Sequence, residues 1–529
     1  MPFFGRVFTL GNLGKRFLRH DSGFFWCDRP HLGKGQPPSS ALGGSILSQE
    51  TCRAARLHPN SKAQYPSIFI RRGIYYGKCR VSSFTSLTAF MPSAILYELF
   101  NLTVPNPTGI ATYARNLTEA AVEMGYTVDG LFHTYLPLSK KDPTLAEVSF
   151  FDVRNKKPSF IAKNIELSWR YLIGKPRGLQ AVQLPRLGVV IDPSENKFDG
   201  YQNAFASRLF MDISRCHFKR YGVSATCHVP VTPTVFHATQ PIPLRVPKAP
   251  NIYTIHDIVP LRLPYTTLDD KRFFLNMVRH LGRTADHIIT VSEASRQDLI
   301  KICRVPEDKI SNTYQAVSFS AEVLSPSDRN VATFVEEAFD LGYRDYFLFF
   351  GALEPKKNVP RLIDAYFMSG TRCPLVIAGG FGWEQNADQD RNRTKEPPDY
   401  RLQNRKVLRV GRLPLVQLVA LIRGARAVLF PSLYEGFGLP VLESMLLGTP
   451  VLTSNVSSLV EIASDAATLV NPYDIADIAR GIRDLDQDGD LRAELIGKGR
   501  VQAKKFSPEN YRSKLAAIYG KFGCQVKAF

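Results

Sequence analysis

The chain has 529 residues, of which 44% are hydrophobic and 22% charged, with a formal net charge of +19. That length exceeds one ordinary core and calls for two domains plus extras. The composition is that of a soluble globular protein and sets aside a disordered or fibrous chain. No apolar run reaches the roughly 18 residues that a membrane-spanning helix needs. The eight cysteines show neither C-x-x-C metal spacing nor a disulfide framework, so a reducing, cytoplasmic setting is the default.

The charge is uneven. Residues 1–90 hold 13 Lys/Arg against Asp21, Asp28 and Glu50, which is +10 of the +19. This basic leader lacks sustained periodicity and contains Gly/Pro/Ser clusters such as Gly33 to Ser40. Three readings are open for it: a flexible appendage or an upstream stretch outside the native protein, with Met91 as the start; an acid-poor targeting peptide; or an arm for nucleic acid or anionic membrane.

From residue 91 strands and helices alternate. Ser93–Phe100 reads as a strand, followed by a loop with Pro105, Pro107 and Gly109 and a helix over Ala111–Met124. Residues 137–250 are richer in Pro and basic groups and read as long insertions around the first domain's site. Asn251–Ile255 is a strand candidate, and Asp286–Val291 is another, running into Ser292 and a helix. Ser325–Asn330 marks a boundary. Beyond it the strand candidates are Tyr346–Phe350, Pro374–Ala378, Val407–Val410, Ala427–Phe430, Pro450–Thr453 and Ala467–Val470, mostly separated by helical segments. This is the pattern of a parallel doubly wound sheet, whose ligands bind beyond the carboxyl ends of the strands.

The most specific motif is Tyr434-Glu435-Gly436-Phe437-Gly438-Leu439-Pro440-Val441-Leu442-Glu443. It places two carboxylates around a glycine-rich turn that enters a helix over Val441–Leu447. Pro440 suits the first helical turn and Gly448 the helix end. Backbone N–H groups of Gly436, Phe437, Gly438 and Leu439 can cradle an anion at the helix start, as for a diphosphate. A carboxylate can accept two hydroxyls at once, which suits Glu443 to a ribose diol; complementing the helix dipole from the first helical turn is the bland alternative. Lys356 and Lys357 follow a buried strand and precede Asn358, a good N-cap, with Pro360 in the opening turn. One lysine reaching a leaving diphosphate would stabilise developing charge; two exposed lysines are the alternative. Asp484 to Asp490 resembles a calcium loop, but a twelfth-position Glu is required and that position is Leu495, so an acidic turn is the better reading and no metal site is expected.

These pieces together resemble family 4 glycosyltransferases of the GT-B fold over residues 91–520. They are Thr254-Ile255-His256-Asp257, Val291-Ser292-Glu293-Ala294-Ser295, Gly351-Ala352-Leu353-Glu354-Pro355-Lys356-Lys357-Asn358, Pro431-Ser432-Leu433-Tyr434-Glu435-Gly436-Phe437-Gly438, and Leu459-Val460-Glu461 with Val470-Asn471-Pro472. The resemblance implies an α/β GT-B architecture of two Rossmann-like doubly wound domains facing a central cleft. Its parts would be an acceptor-binding domain over 91–328, a nucleotide-sugar domain over 329–505 and a helix over 506–529 returning to the first domain. It implies that Glu435 contacts the donor sugar, that Lys357 meets the phosphate and that His256 faces the sugar. Gly109, which opens the first helix, can approach the donor phosphate or acceptor from the opposite domain, or can equally be a turn. Ala352 departs from the arginine that many relatives carry; Arg412 is a substitute cation.

The form Leu-Glu-Pro-Lys-Lys-Asn most resembles mannosyltransferase-like enzymes of surface polysaccharide synthesis. The expectation is a retaining, metal-independent enzyme with no cofactor. It would use GDP-mannose, or else a UDP-sugar, and a glycan or lipid-linked acceptor. It would work in the cytoplasm, with peripheral contact to anionic membrane at the inner face of the plasma membrane and no nucleic-acid partner. A non-catalytic nucleotide-sugar-binding relative and a GT-B isomerase or phosphorylase remain as alternatives.

Overall fold

The computed structural model describes residues 94–104, 109–139, 141–152, 155, 178–190, 200–380 and 407–524. The leader 1–90 and the loop prolines Pro105 and Pro107 lie outside the described residues. What is described forms two large, mostly parallel sheets and a small parallel one of Leu179–Gln180, Ala225–His228 and Leu244–Arg245. The first runs, in spatial order, Ile310–Asn312, His287–Thr290, Asn251–Thr254, Val235–Ala238, Ala94–Glu98, Thr127–Thr134, Asn203–Arg208 and Val182–Leu184. Only the Val182–Leu184 strand pairs antiparallel. The second runs Val407–Val410, Leu375–Ala378, Phe347–Phe350, Ala427–Phe430, Val451–Ser454 and Thr468–Val470, parallel throughout.

Both faces of each sheet are covered, so the central strands are continuous apolar runs, as in Phe347–Phe350 and Ala427–Phe430, every residue of which is buried. Successive side chains alternate faces: Ile95 and Tyr97 enter one core cluster while Leu96 enters another. The reading of 137–250 as insertions is corrected here. Within it, Val235–Ala238 pairs with Ala94–Glu98 on one side and Asn251–Thr254 on the other, and is a central strand. Asn203–Arg208 extends the same sheet.

Helix Pro508–Gly520 packs on helix Gly109–Glu123 of the first domain. Tyr519 is fully buried there, its hydroxyl 2.9 Å from that of Tyr97 and 2.7 Å from Nδ1 of His237. Nε2 of His237 bonds Thr254 Oγ1 at 2.8 Å, and the Tyr113 hydroxyl meets the same atom at 2.8 Å. Burial pushes His237 down to about 3, so it stays neutral and serves this network as one donor and one acceptor. No helix among the described residues is long and apolar enough to cross a membrane.

Candidate functional site

The carboxyl ends of the two sheets meet at the glycine-rich turn. Helix Leu439–Leu446 begins at Gly438, whose φ of 107° suits only glycine. The helix thus starts two residues earlier than Val441. Glu443 is its fifth residue, in the second turn rather than the first, which removes the bland dipole reading. Ser458 Oγ donates to the carbonyls of Glu435 and Phe437 at 2.8 and 2.9 Å, and Ser457 Oγ accepts the N–H of Glu435 at 3.1 Å. These bonds fix the turn. Among the described residues the N–H groups of Gly436, Phe437, Gly438 and Leu439 donate to no backbone or side-chain acceptor. Four consecutive unspent donors at a helix N-terminus form an anion cradle. Phe437 itself is 3% exposed; its ring packs on Phe506, which packs on Tyr314.

Beside the cradle lies a compact charge cluster. Lys357 Nζ stands 2.6 Å from Oε1 of Glu435, and Lys356 Nζ is 3.6 Å from its other oxygen and 3.8 Å from Glu354. Burial would raise the Glu435 carboxyl, but the two lysines outweigh it and hold the group below its ordinary value. Burial likewise opposes the charge on Lys356, but Glu435, Asp257 and Glu354 raise it above the ordinary lysine range. Glu443 has no such compensation: burial pushes it up to about 7 against a weaker pull from Lys357.

Asn358 is not a side-chain cap. It sits at φ 61° and its side chain makes no cap bond to the helix. Instead Nδ2 donates to the carbonyls of Pro431 and Pro472 at 3.0 and 2.7 Å. The Lys356 carbonyl accepts from the N–H of Leu433 at 2.8 Å. The lysine segment is therefore strapped to the segment that carries Glu435.

His256 arrives from the first domain, just past the strand Asn251–Thr254. Its Nε2 lies 2.8 Å from the Thr239 carbonyl oxygen. A carbonyl only accepts, which assigns the proton to Nε2 and leaves the Nδ1 lone pair unprotonated. Burial holds the ring below its ordinary pKa, opposed by the Thr239 carbonyl and Asp257 and reinforced by Lys356. The ring lies edge-on to Tyr113, with centroids 4.7 Å apart. A β-carbon on Gly436 would stand 2.5 Å from the His256 carbonyl oxygen, so only glycine lets the two loops touch. Ser295 Oγ donates to that same carbonyl at 2.8 Å and lies 3.3 Å from the Gly436 carbonyl. Gly109, the first residue of its helix, faces Leu439, whose Cδ1 would be 3.8 Å from an added β-carbon. Two helix N-termini thus converge on the cradle.

Several contributors were given no role by the sequence reading. Glu98, 0% exposed, ends the strand Ala94–Glu98 and accepts from the N–H of Phe100 at 2.8 Å and from Gln240 Nε2 at 3.1 Å. Thr239 Oγ1 donates to its carbonyl at 2.9 Å, so Glu98 steadies the residue that orients His256. Glu461, from the second domain, accepts the N–H groups of Glu293 and Ala294 at 3.0 and 2.9 Å, capping a helix of the first. Tyr434 donates to Asp298, which Arg262 also holds. A carboxylate closing an otherwise apolar strand was the one visible signal, at Glu98. In the acidic run, Asp484 pairs with Arg480 at 2.9 Å, Asp486 takes Thr371 at 2.6 Å and Arg426, and Asp488 caps the helix Gly489–Ala503. Arg412 is exposed beyond the edge strand Val407–Val410.

Two doubly wound domains joined at their carboxyl edges over a Gly-Phe-Gly turn define a GT-B protein. Solved structures with this fold include sucrose-phosphate synthase from Thermosynechococcus elongatus (TM-score 0.53, 16% identity, 82% of this chain and 99% of that one). Another is Anabaena HepE in complex with UDP-glucose (TM-score 0.52, 15% identity, 81% and 100%). Residues 337–502 match the family described as Glycosyl transferases group 1, and residues 217–318 match Glycosyltransferase Family 4. Both segments thus match GT-B family 4 glycosyltransferases. O-antigen chain mannosyltransferase B of Escherichia coli is 33% identical over 261 residues, 48% of this chain and 66% of that protein. Serotype-specific mannosyltransferase WbdA of Escherichia coli is 29% identical over 244 residues, 45% of this chain and 29% of that protein. The chain thus covers under two thirds of the length of these relatives.

Proposed function

We propose that the chain transfers a mannosyl residue, with retention of anomeric configuration, from GDP-mannose to a glycan or lipid-linked acceptor in surface polysaccharide synthesis. The observation that carries this is the unspent N–H cradle of Gly436 to Leu439 set beside Lys357, Lys356 and Glu435. The cradle and the lysines take the diphosphate, and Glu443 takes the ribose diol. Glu435 orients the sugar hydroxyls, and Gly109 lets the first domain approach the phosphates. The bond from the anomeric carbon to the diphosphate breaks as the acceptor oxygen bonds the same carbon. The acceptor proton passes to the leaving diphosphate, whose new charge the lysines and helix N-terminus stabilise. That positive charge is what supports a metal-independent reaction. Neutral His256, with Nε2 held by Thr239, presents Nδ1 as a hydroxyl acceptor for the sugar. The first domain would hold the acceptor and the second the donor.

The choice of mannose and of a polysaccharide acceptor follows from the printed activities of the relatives. A UDP-sugar is the second donor. The setting this requires is the cytoplasm, at the inner membrane face for a lipid-linked acceptor. The test is a nucleotide-sugar panel read by thermal shift and by acceptor-dependent release of nucleoside diphosphate, with and without EDTA. GDP-mannose should give the largest stabilisation and EDTA no loss. Turnover independent of any acceptor would point to an isomerase or phosphorylase instead.

A further inference from the structure

The motif Val291-Ser292-Glu293-Ala294-Ser295 has no role in the donor cradle. It opens the helix Glu293–Lys301 of the first domain. Three ties from the second domain end on this one helix. Glu461 accepts the N–H groups of Glu293 and Ala294 at 3.0 and 2.9 Å. Ser295 Oγ donates to the His256 carbonyl at 2.8 Å and lies 3.3 Å from the Gly436 carbonyl, so it joins a loop of each domain. Asp298 takes the Tyr434 hydroxyl, and Arg262 Nε holds the same carboxylate oxygen at 3.0 Å. Ser295 and Asp298 are 1% and 5% exposed.

Ser295 and Asp298 are one helical turn apart and so share a face. The residues they meet, Gly436 and Tyr434, flank Glu435 on either side. The helix is itself well held in its own domain. Leu299 is fully buried in the first domain's core, and Arg296 and Gln297 both bond Glu293 Oε1 at 2.8 Å. The cradle, the two lysines and Glu443 all lie in the second domain, whereas His256 lies in the first. A tie between the domains is therefore not needed to bind a nucleotide. It matters when groups of both domains must meet at the sugar. We propose that Ser295 and Asp298 are positioning residues which, through Gly436 and Tyr434, hold Glu435 against the His256 loop for the transfer step. Glu461 fixes the start of their helix to the second domain. The inference rests on the glycosyltransferase reading of the cleft.

Tyr434→Phe and Ser295→Ala each remove one hydroxyl; the Tyr434 ring stays packed with Val259, Leu263 and Leu433. Both single variants and the double are compared with wild type for kcat on GDP-mannose with α-linked mannotriose. GDP affinity is measured by titration calorimetry. Amide hydrogen exchange without ligand is followed over 292–298 and 431–438, with the buried strands Phe347–Phe350 and Asn251–Thr254 as the control for global stability. The double variant should lose about 10- to 100-fold in kcat, with the GDP Kd kept within about twofold. Exchange should quicken over the two segments and stay slow in the control strands. A kcat within about twofold of wild type overturns the proposal. So does a GDP affinity that falls in step with kcat, and so does exchange that is unchanged or that quickens equally in the control strands. A wild type that neither binds GDP nor turns over would count against the glycosyltransferase reading instead, and exchange alone then decides whether the ties hold.

Discussion

Lys357 and Glu435, 78 residues apart in sequence, form a 2.6 Å ion pair between two loops at the carboxyl ends of the second sheet. The carboxylate is 6% exposed, and burial alone would raise its pKa. Removing Lys357 would leave only Lys356, 3.6 Å away. Lys357→Ala should therefore raise the Glu435 pKa and lower kcat/KM for donor by about 10²–10³. A change under about threefold would remove Lys357 from the reaction. The sign for stability follows from the lowered carboxyl. Its contribution is present above the ordinary value of 4.5 and is lost as pH falls through the lower folded value. Glu435→Gln should show a shallower fall in Tm between about pH 5 and 3.

Gly436 tests closure separately from folding. Its missing β-carbon makes room for the His256 carbonyl of the other domain, and its φ is not in the left-handed region. Gly436→Ala should fold normally but hold the cleft open, enlarging the radius of gyration in solution scattering and cutting kcat by about 100-fold. Gly438→Ala differs, because φ is 107° and the added carbon would meet Leu459 at 2.7 Å. It should also lose stability, by about 1–3 kcal/mol. Equal Tm losses in the two variants would refute this division.

Glu443 is pushed up to about 7 by burial. Ionised, it can accept two ribose hydroxyls; protonated, it gives up part of that capacity. Nucleotide affinity should therefore increase as pH rises from 6 to 8. Titration calorimetry with GDP across that range checks it, and Glu443→Gln should be both weaker and flatter. A pH-independent wild type would mean that Glu443 does not touch the ribose.

Glu98 is also raised to about 7 by burial, with its hydrogen bonds pulling the other way. Its folded pKa exceeds its unfolded one, so its contribution is full below about pH 4.5 and declines as pH rises to 7. Up to about 3 kcal/mol is involved by the usual conversion. Glu98→Gln mimics the neutral acid and should flatten chemical-denaturation stability between pH 5 and 7. Glu98→Ala would strand the Phe100 N–H and Gln240 and cost about 2–4 kcal/mol. It should also loosen Thr239, whose carbonyl holds the His256 pKa up, and so lower the pKa of His256 further, visible by NMR titration.

The second sheet was readable because each strand is an apolar run bounded by polar, Gly or Pro residues, and the six strands stand within two residues of where those runs fall. Ala225–His228 in the small sheet and the central strand Val235–Ala238 of the first sheet were not, because they carry His228 and His237 amid a Pro-rich stretch. His237 is tolerated in the core only through Tyr519 and Thr254, partners that no local pattern reveals. The turn at Gly436 and the lysine pair were visible as motifs. What joins the domains was not: Glu461 meets Glu293 from 168 residues away, and Tyr434 meets Asp298 from 136. Asn358 looked like a cap because its residue type fits one, yet two carbonyls from distant loops outcompete the local bond.

Tyr519 has a consequence for synthesis. It completes the polar core formed by Tyr97, His237 and Thr254. Until residue 519 clears the ribosome, His237 is a buried imidazole with an unanswered nitrogen. The second domain, whose sheet draws only on residues 347–470, has no such dependence. The domain translated first is therefore the one that finishes folding second, so a nascent chain should show protease protection over 347–470 before it does over 94–312.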